Sequence, residues 1–131
     1  MSLVAIVVIL ALVEYMVFLS LVGRARGKYN LPAPATTGNE FFERHFRVQQ
    51  NTLEQLIIFI PSIWLFGLFV SSLWGAALGV IFLIGRAMYA SGYVRDPAKR
   101  SAGFMLSALP TLALLIGALV GAIRSAIVSG V

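Results

Sequence analysis

Four stretches of this chain are almost wholly apolar, roughly Ser2–Val22, Val48–Trp74, Gly75–Val94 and Gly103–Ile123. Each approaches or exceeds the ~20 residues that a helix needs to cross a hydrocarbon core. The pattern predicts an all-α integral membrane protein, a four-helix transmembrane bundle. With their flanks the helices are expected at about 2–22, 42–74, 75–94 and 101–125, in one domain over residues 1–131. The first run lacks a basic leader and is about twice the length of a signal-peptide core, so it is read as a spanning helix. Between the first two helices, Gly23 to Glu40 is expected as the single long loop, with LPAPATTG as its non-helical centre. Asn39 or the Thr36/Thr37 pair is placed to cap the second helix, with Glu40 and Glu43 in its first turn. The second connection, Val70–Ala76, is short, which makes helices two and three antiparallel neighbours.

The polar positions are the informative ones. Arg44, Arg47, Gln50, Asn51 and Glu54 lie at offsets of 0, 3, 6, 7 and 10 and therefore share one stripe of a helix. Lipid cannot satisfy such groups, so the stripe must face protein, a water-filled cleft or a polar ligand. Arg86, Tyr89 and Tyr93 fall on one face at the end of the third helix, at the same depth as the stripe. Arg86 is placed to pair with Glu54 or to hold an anion, and the tyrosines to donate hydrogen bonds or to form an aromatic wall. The alternative is an anchoring belt, with tyrosines at headgroup level and arginines reaching for phosphates. Two facing polar stripes exceed what anchoring requires.

Composition agrees with the membrane reading: 60% of the 131 residues are hydrophobic and only 11% charged, with a mean hydropathy of +0.93. The net charge of +5 is distributed as a topology signal. Arg24, Arg26, Lys28, Arg44 and Arg47 flank the first connection, and Arg95, Lys99 and Arg100 occupy the third. The bias puts these two connections in the cytoplasm and needs no nucleic acid to explain it. With no cysteine there is no disulfide and no thiolate of the protein's own. His45, the one histidine, stands between charged residues at a helix start, and no set of residues has metal-ligand spacing. No phosphate-loop spacing and no Ser–His arrangement is present.

Gly38, Phe42-Glu43-Arg44-His45-Phe46-Arg47-Val48-Gln49-Gln50-Asn51 and Glu54 resemble the signature of the MAPEG family, the membrane-associated proteins in eicosanoid and glutathione metabolism. The similarity is greatest to the branch holding leukotriene C4 synthase, microsomal glutathione S-transferase 2 and the 5-lipoxygenase-activating protein. It extends over nearly the whole chain, through the TTG loop, the RAMYASGY block and the Arg95–Arg100 connection. His45, Val48, Gln55 and Gly27 depart from the commoner residues.

The resemblance implies a homotrimer that binds glutathione between subunits near the cytoplasmic face. Arg47, Asn51, Glu54, Tyr89 and Tyr93 would contact it from one subunit, and Arg26 and Gln49 from the neighbour. Gln49 points about 200° away from Arg47 on the helical wheel, which suits a different partner. Two carboxylates and an ammonium on the ligand call for cations, for which Arg26, Arg47 and Arg86 are available, and for an acid, Glu54. By the same resemblance Arg100 is the catalytic residue, holding the glutathione sulfur as thiolate. A shift of two units from a thiol pKa near 8.5 requires about 2.7 kcal/mol, within the capacity of one partly desolvated charge. Ser101 follows as a further hydrogen-bond donor.

The expected activity is that of a membrane-bound glutathione transferase acting on a lipophilic electrophile, with peroxidase chemistry on lipid hydroperoxides open to the same thiolate. The apolar substrate would enter from the bilayer along an intersubunit groove near Leu106, Leu109 and Leu112, with Pro110 bending helix four. The membrane would be the bacterial inner membrane or, in a eukaryote, that of the endoplasmic reticulum or nuclear envelope. Two alternatives remain at this level: a non-catalytic lipid-binding scaffold of the same fold, and a small multidrug transporter built around Glu14 in the first helix.

Overall fold

In the computed structural model, which describes residues 1–130, the first helix outlasts its apolar run. α1 spans Ser2–Tyr29 and stops at Asn30, which adopts the left-handed conformation (φ 53°) and returns its N–H to the Arg26 carbonyl. Asn tolerates that conformation better than residues other than glycine. The expected end at Val22 marked where the apolar surface ends, whereas the backbone ladder continues through Gly23 and Gly27. Arg26 and Lys28 thus sit in the last turn, where cations suit the negative end of the helix dipole. The loop is correspondingly shorter, and Arg26 folds it back: its Nη1 donates to the carbonyls of Leu31 (3.1 Å) and Ala35 (2.7 Å). Its guanidinium lies 4.8 Å from the centroid of the Phe42 ring.

α2 spans Glu40–Phe69. The Asn39 side chain accepts from the N–H groups of Phe41 (2.8 Å) and Phe42 (3.1 Å), and the Glu43 carboxylate accepts from Gly38 N–H (3.2 Å). The Asn39 bonds satisfy donors that any helix start leaves orphaned, and the Glu43 bond ties the preceding loop to the first turn. α3 spans Ser72–Arg95. The α2–α3 break therefore precedes the expected 74/75 boundary, at Val70–Ser71, because the Ser71 hydroxyl accepts from Trp74 N–H and starts a new helix inside a continuous apolar run. A 3₁₀ turn, Pro97–Lys99, is capped by the Asp96 carboxylate and leads into α4, Ser101–Ser129. Both α2 and α4 run through an internal proline, Pro61 and Pro110.

All four helices are long and apolar enough to cross a membrane, and the protein is an integral membrane protein. The main core joins Val4, Val7 and Ala11 of α1 to Leu56, Phe59 and Ile63 of α2, Phe82 of α3 and Leu114 of α4. The Phe59 and Phe82 rings stack at 3.8 Å between centroids. Lipid gives no hydrophobic drive to helix association, so close backbone approach carries the packing. α3 and α4 show this most clearly. A side chain at Gly85 would meet the backbone of Leu106 and Ser107 at 2.6–2.9 Å, and one at Gly103 would collide with the backbone of Met88 and Tyr89. These contacts hold the start of α4 against the end of α3, where the polar residues gather.

Candidate functional site

The polar stripe of α2 does not act as one surface. Arg44, at its start, turns toward the end of α3, where Nη1 donates to the carbonyls of Val94 (3.0 Å) and Arg95 (3.3 Å) and Nη2 pairs with Glu40. One cation thereby satisfies carbonyls that the last turn of α3 leaves free. Arg47 and Glu54, two turns apart, face each other at 3.5 Å with both side chains about half exposed. Asn51, between them in sequence, is buried.

The end of α3 supplies the second wall. Tyr89 is buried and stacks on Tyr93 with centroids 5.6 Å apart, and Phe104 of α4 packs against Tyr89 at 6.4 Å. Arg100, the residue before α4, donates from Nη1 to the Pro97 carbonyl (2.9 Å) and is otherwise exposed. Together these elements enclose a cavity of about 510 Å³. Its polar lining is Arg47, Asn51, Tyr89, Tyr93, Arg100 and Ser101; Phe104 and Met105 close its apolar side. Two guanidiniums therefore face this space, and among the described residues no carboxylate lines it. Such a cavity suits an anionic ligand with hydrogen-bonding groups, with one end against apolar side chains.

The sequence pattern of the MAPEG family matches residues 4–120, across all four helices. The chain belongs to the MAPEG family. It is similar to microsomal glutathione S-transferase 2 of Homo sapiens, with 43% identity over 119 residues, covering 89% of this chain and 80% of that protein. Similarity to leukotriene C4 synthase of Rattus norvegicus is 34% over 111 residues, covering 79% and 74% of the two chains. An uncharacterized protein of Synechocystis sp. shares 49% identity over 115 residues, covering 88% of this chain and 84% of its own.

Of the site residues expected for this MAPEG chain, the cavity gathers Arg47, Asn51, Tyr89, Tyr93 and Arg100. Glu54 joins them through Arg47. Three lie elsewhere. Arg26 is half-buried and engaged with its own loop. Gln49 is buried on the opposite face of α2 and donates to Tyr15 Oη at 2.6 Å. Arg86 is a correction: it neither pairs with Glu54 nor reaches the cavity. It is fully buried, and its Nη1 donates to Asn51 Oδ1 (2.7 Å) and Thr52 Oγ1 (3.2 Å). Residue spacing put Arg86 on the face of Tyr89 and Tyr93, but helix packing decides that Arg86 points at the interior of α2 while Tyr93 opens outward.

The apolar lining of the cavity adds two residues that spacing did not single out. Phe104 and Met105 line the cavity, whereas Leu109 and Leu112 are about half exposed on the outer surface of α4. Their spacing from Arg100 and Ser101, four residues each, was the available signal. It was masked because Leu106, Ala108 and Leu109, close by on α4, are apolar as well.

Proposed function

We propose that this protein is a membrane-bound glutathione transferase that activates glutathione as a thiolate for attack on a lipophilic electrophile. The observation that carries the reading is the convergence of Arg47, Asn51, Tyr93 and Arg100, from two helices and the turn before α4, on one cavity whose far side is Phe104 and Met105 of α4. Similarity to two proteins named as a glutathione S-transferase and as leukotriene C4 synthase supports the same chemistry.

In this reading Arg47 and Asn51 bind glutathione carboxylate and amide oxygens, and Glu54, drawn toward the rim by Arg47, meets the ammonium. Tyr89 and Tyr93 form the aromatic floor. Arg100 faces the sulfur. Its Nη1 is fixed on the Pro97 carbonyl, so the rest of the guanidinium is pre-oriented toward the thiolate. The proton leaves to solvent, the sulfur forms a bond to the electrophilic carbon, and the electron pair of the broken bond goes to the leaving atom. Phe104 and Met105 accommodate the apolar substrate arriving from the bilayer. The assembly is a homotrimer in which Arg26 and Gln49 of a neighbouring copy complete the site, each oriented by its bonds within its own chain. The basic end of the bundle, with the site, faces the cytoplasm.

The test is the ultraviolet thiolate signal on mixing glutathione with purified protein in detergent, alongside binding and turnover. Wild type should show the signal. Arg100→Ala should bind glutathione, lose the signal and turn over a lipophilic electrophile about 10²-fold more slowly. Binding without thiolate in either protein would instead identify a scaffold. Absence of binding would overturn the assignment and leave Glu14 and transport as the alternative.

A further inference from the structure

The buried guanidinium of Arg86 is the largest side chain with no exposure at all. Its surroundings are specific. Nη1 donates to Asn51 Oδ1 and Thr52 Oγ1, and its guanidinium carbon lies 4.4 Å from the centroid of the Tyr89 ring. Both Asn51 and Tyr89 line the cavity, and Arg86 does not.

A guanidinium has donors and no acceptor, so only the oxygen of the Asn51 amide can face it. Turning the amide over would set NH₂ against N–H. Arg86 thus fixes which way the amide points, and Nδ2 is left as the Asn51 group available to a ligand in the cavity. The orientation suits a carboxylate or carbonyl oxygen. Without Arg86 the amide could present either end, and a ligand oxygen would meet a mixture.

Burial of this charge needs a counter-ion. Arg86 Nε and Nη2 have no hydrogen-bond partner, and Glu54, once the obvious candidate, is taken by Arg47. Glu14 of α1 is placed for the task. It lies three residues after Ala11 and four before Phe18, both buried, so it occupies the packed face of α1. Phe18, one turn on, belongs to the buried cluster that holds Tyr89, the ring beside Arg86.

We propose that Arg86 is a positioning residue for the glutathione site, with Glu14 as its counter-ion: it sets the Asn51 amide without touching the ligand. The proposal rests on the glutathione reading above, and it gives Glu14 a purpose other than transport.

A binding cycle tests it, with glutathione affinity and the thiolate fraction at saturation measured on the detergent-purified protein. Arg86→Met should raise Kd for glutathione about tenfold to a hundredfold, the value of one hydrogen bond to a charged group. At saturation the bound thiolate fraction should match wild type, because Arg100 is intact. In an Asn51→Ala background, Arg86→Met should add less than about threefold, since the residue acts through the amide. Losses that multiply in full, or a fallen thiolate fraction, would overturn the proposal. If Arg86→Met does not fold, Glu14→Gln decides, because it leaves every cavity side chain in place. It should weaken glutathione about threefold to tenfold in wild type and not in Asn51→Ala. Wild-type affinity in Glu14→Gln would overturn the counter-ion. Failure of the unmutated protein to bind glutathione would overturn the functional reading itself, before any variant is compared.

Discussion

Two regions of α4, around Gly117 and around Gly103, both use glycine for close approach and reach different results. Near the α2–α3 turn, a side chain on Gly117 of α4 would meet the Phe66 ring, with the nearest ring carbon at 2.5 Å. At the other end, Gly103 of α4 sits on the backbone of Met88 and Tyr89, and Gly85 of α3 on that of Leu106 and Ser107. A ring can turn; a helical backbone cannot without moving the helix. The Gly117 contact can adjust, whereas Gly85 and Gly103 make a rigid joint; at the first end only Gly121 crowds backbone, the Phe69 carbonyl at 2.8 Å. Rigidity is placed where Tyr89, Tyr93 and Arg100 must hold their relation across two helices.

This contrast is open to measurement, beginning with its strongest consequence. Gly103→Ala should force α4 off α3, costing about 3 kcal/mol and with it the cavity. Thermal unfolding in detergent and the glutathione thiolate signal would both report it, and a wild-type signal would show that the joint is not rigid. Gly117→Ala should cost only about 1 kcal/mol, because Phe66 can shift, and should leave glutathione turnover unchanged. Equal losses from the two substitutions would erase the distinction. The smallest effect is expected at the rim, where Glu40→Gln removes an ion pair whose acid is 70% exposed. Thermal unfolding should change by less than about 0.5 kcal/mol. The Arg44 bonds to Val94 and Arg95 remain in that variant, so a larger loss would mean that Glu40 orients Arg44.

Much of the site could be read from spacing. Arg47, Asn51 and Glu54 recur on one face of α2, and Tyr89 and Tyr93 are one turn apart on α3, so helical geometry alone groups each set. Arg86 obeys the same spacing and yet faces inward. A periodicity of 100° per residue gives a direction around one helix and nothing about what stands opposite. The helix ends failed for a related reason. Hydropathy reports the surface a segment shows to lipid, so it missed the exposed last turns of α1 and the Ser71 cap within an apolar run.

What the sequence determined by itself is local. The four apolar spans, the Asn39 cap, the basic flanks and the helical grouping of polar residues depend on neighbours a few positions away. Tertiary structure alone decided that Arg86 bonds to Asn51, that Gln49 turns to Tyr15, and that Phe104 and Met105 form the apolar wall. Each depends on residues 15 or more positions apart meeting across a helix–helix joint, and at the α3–α4 joint Gly85 and Gly103 set the distance.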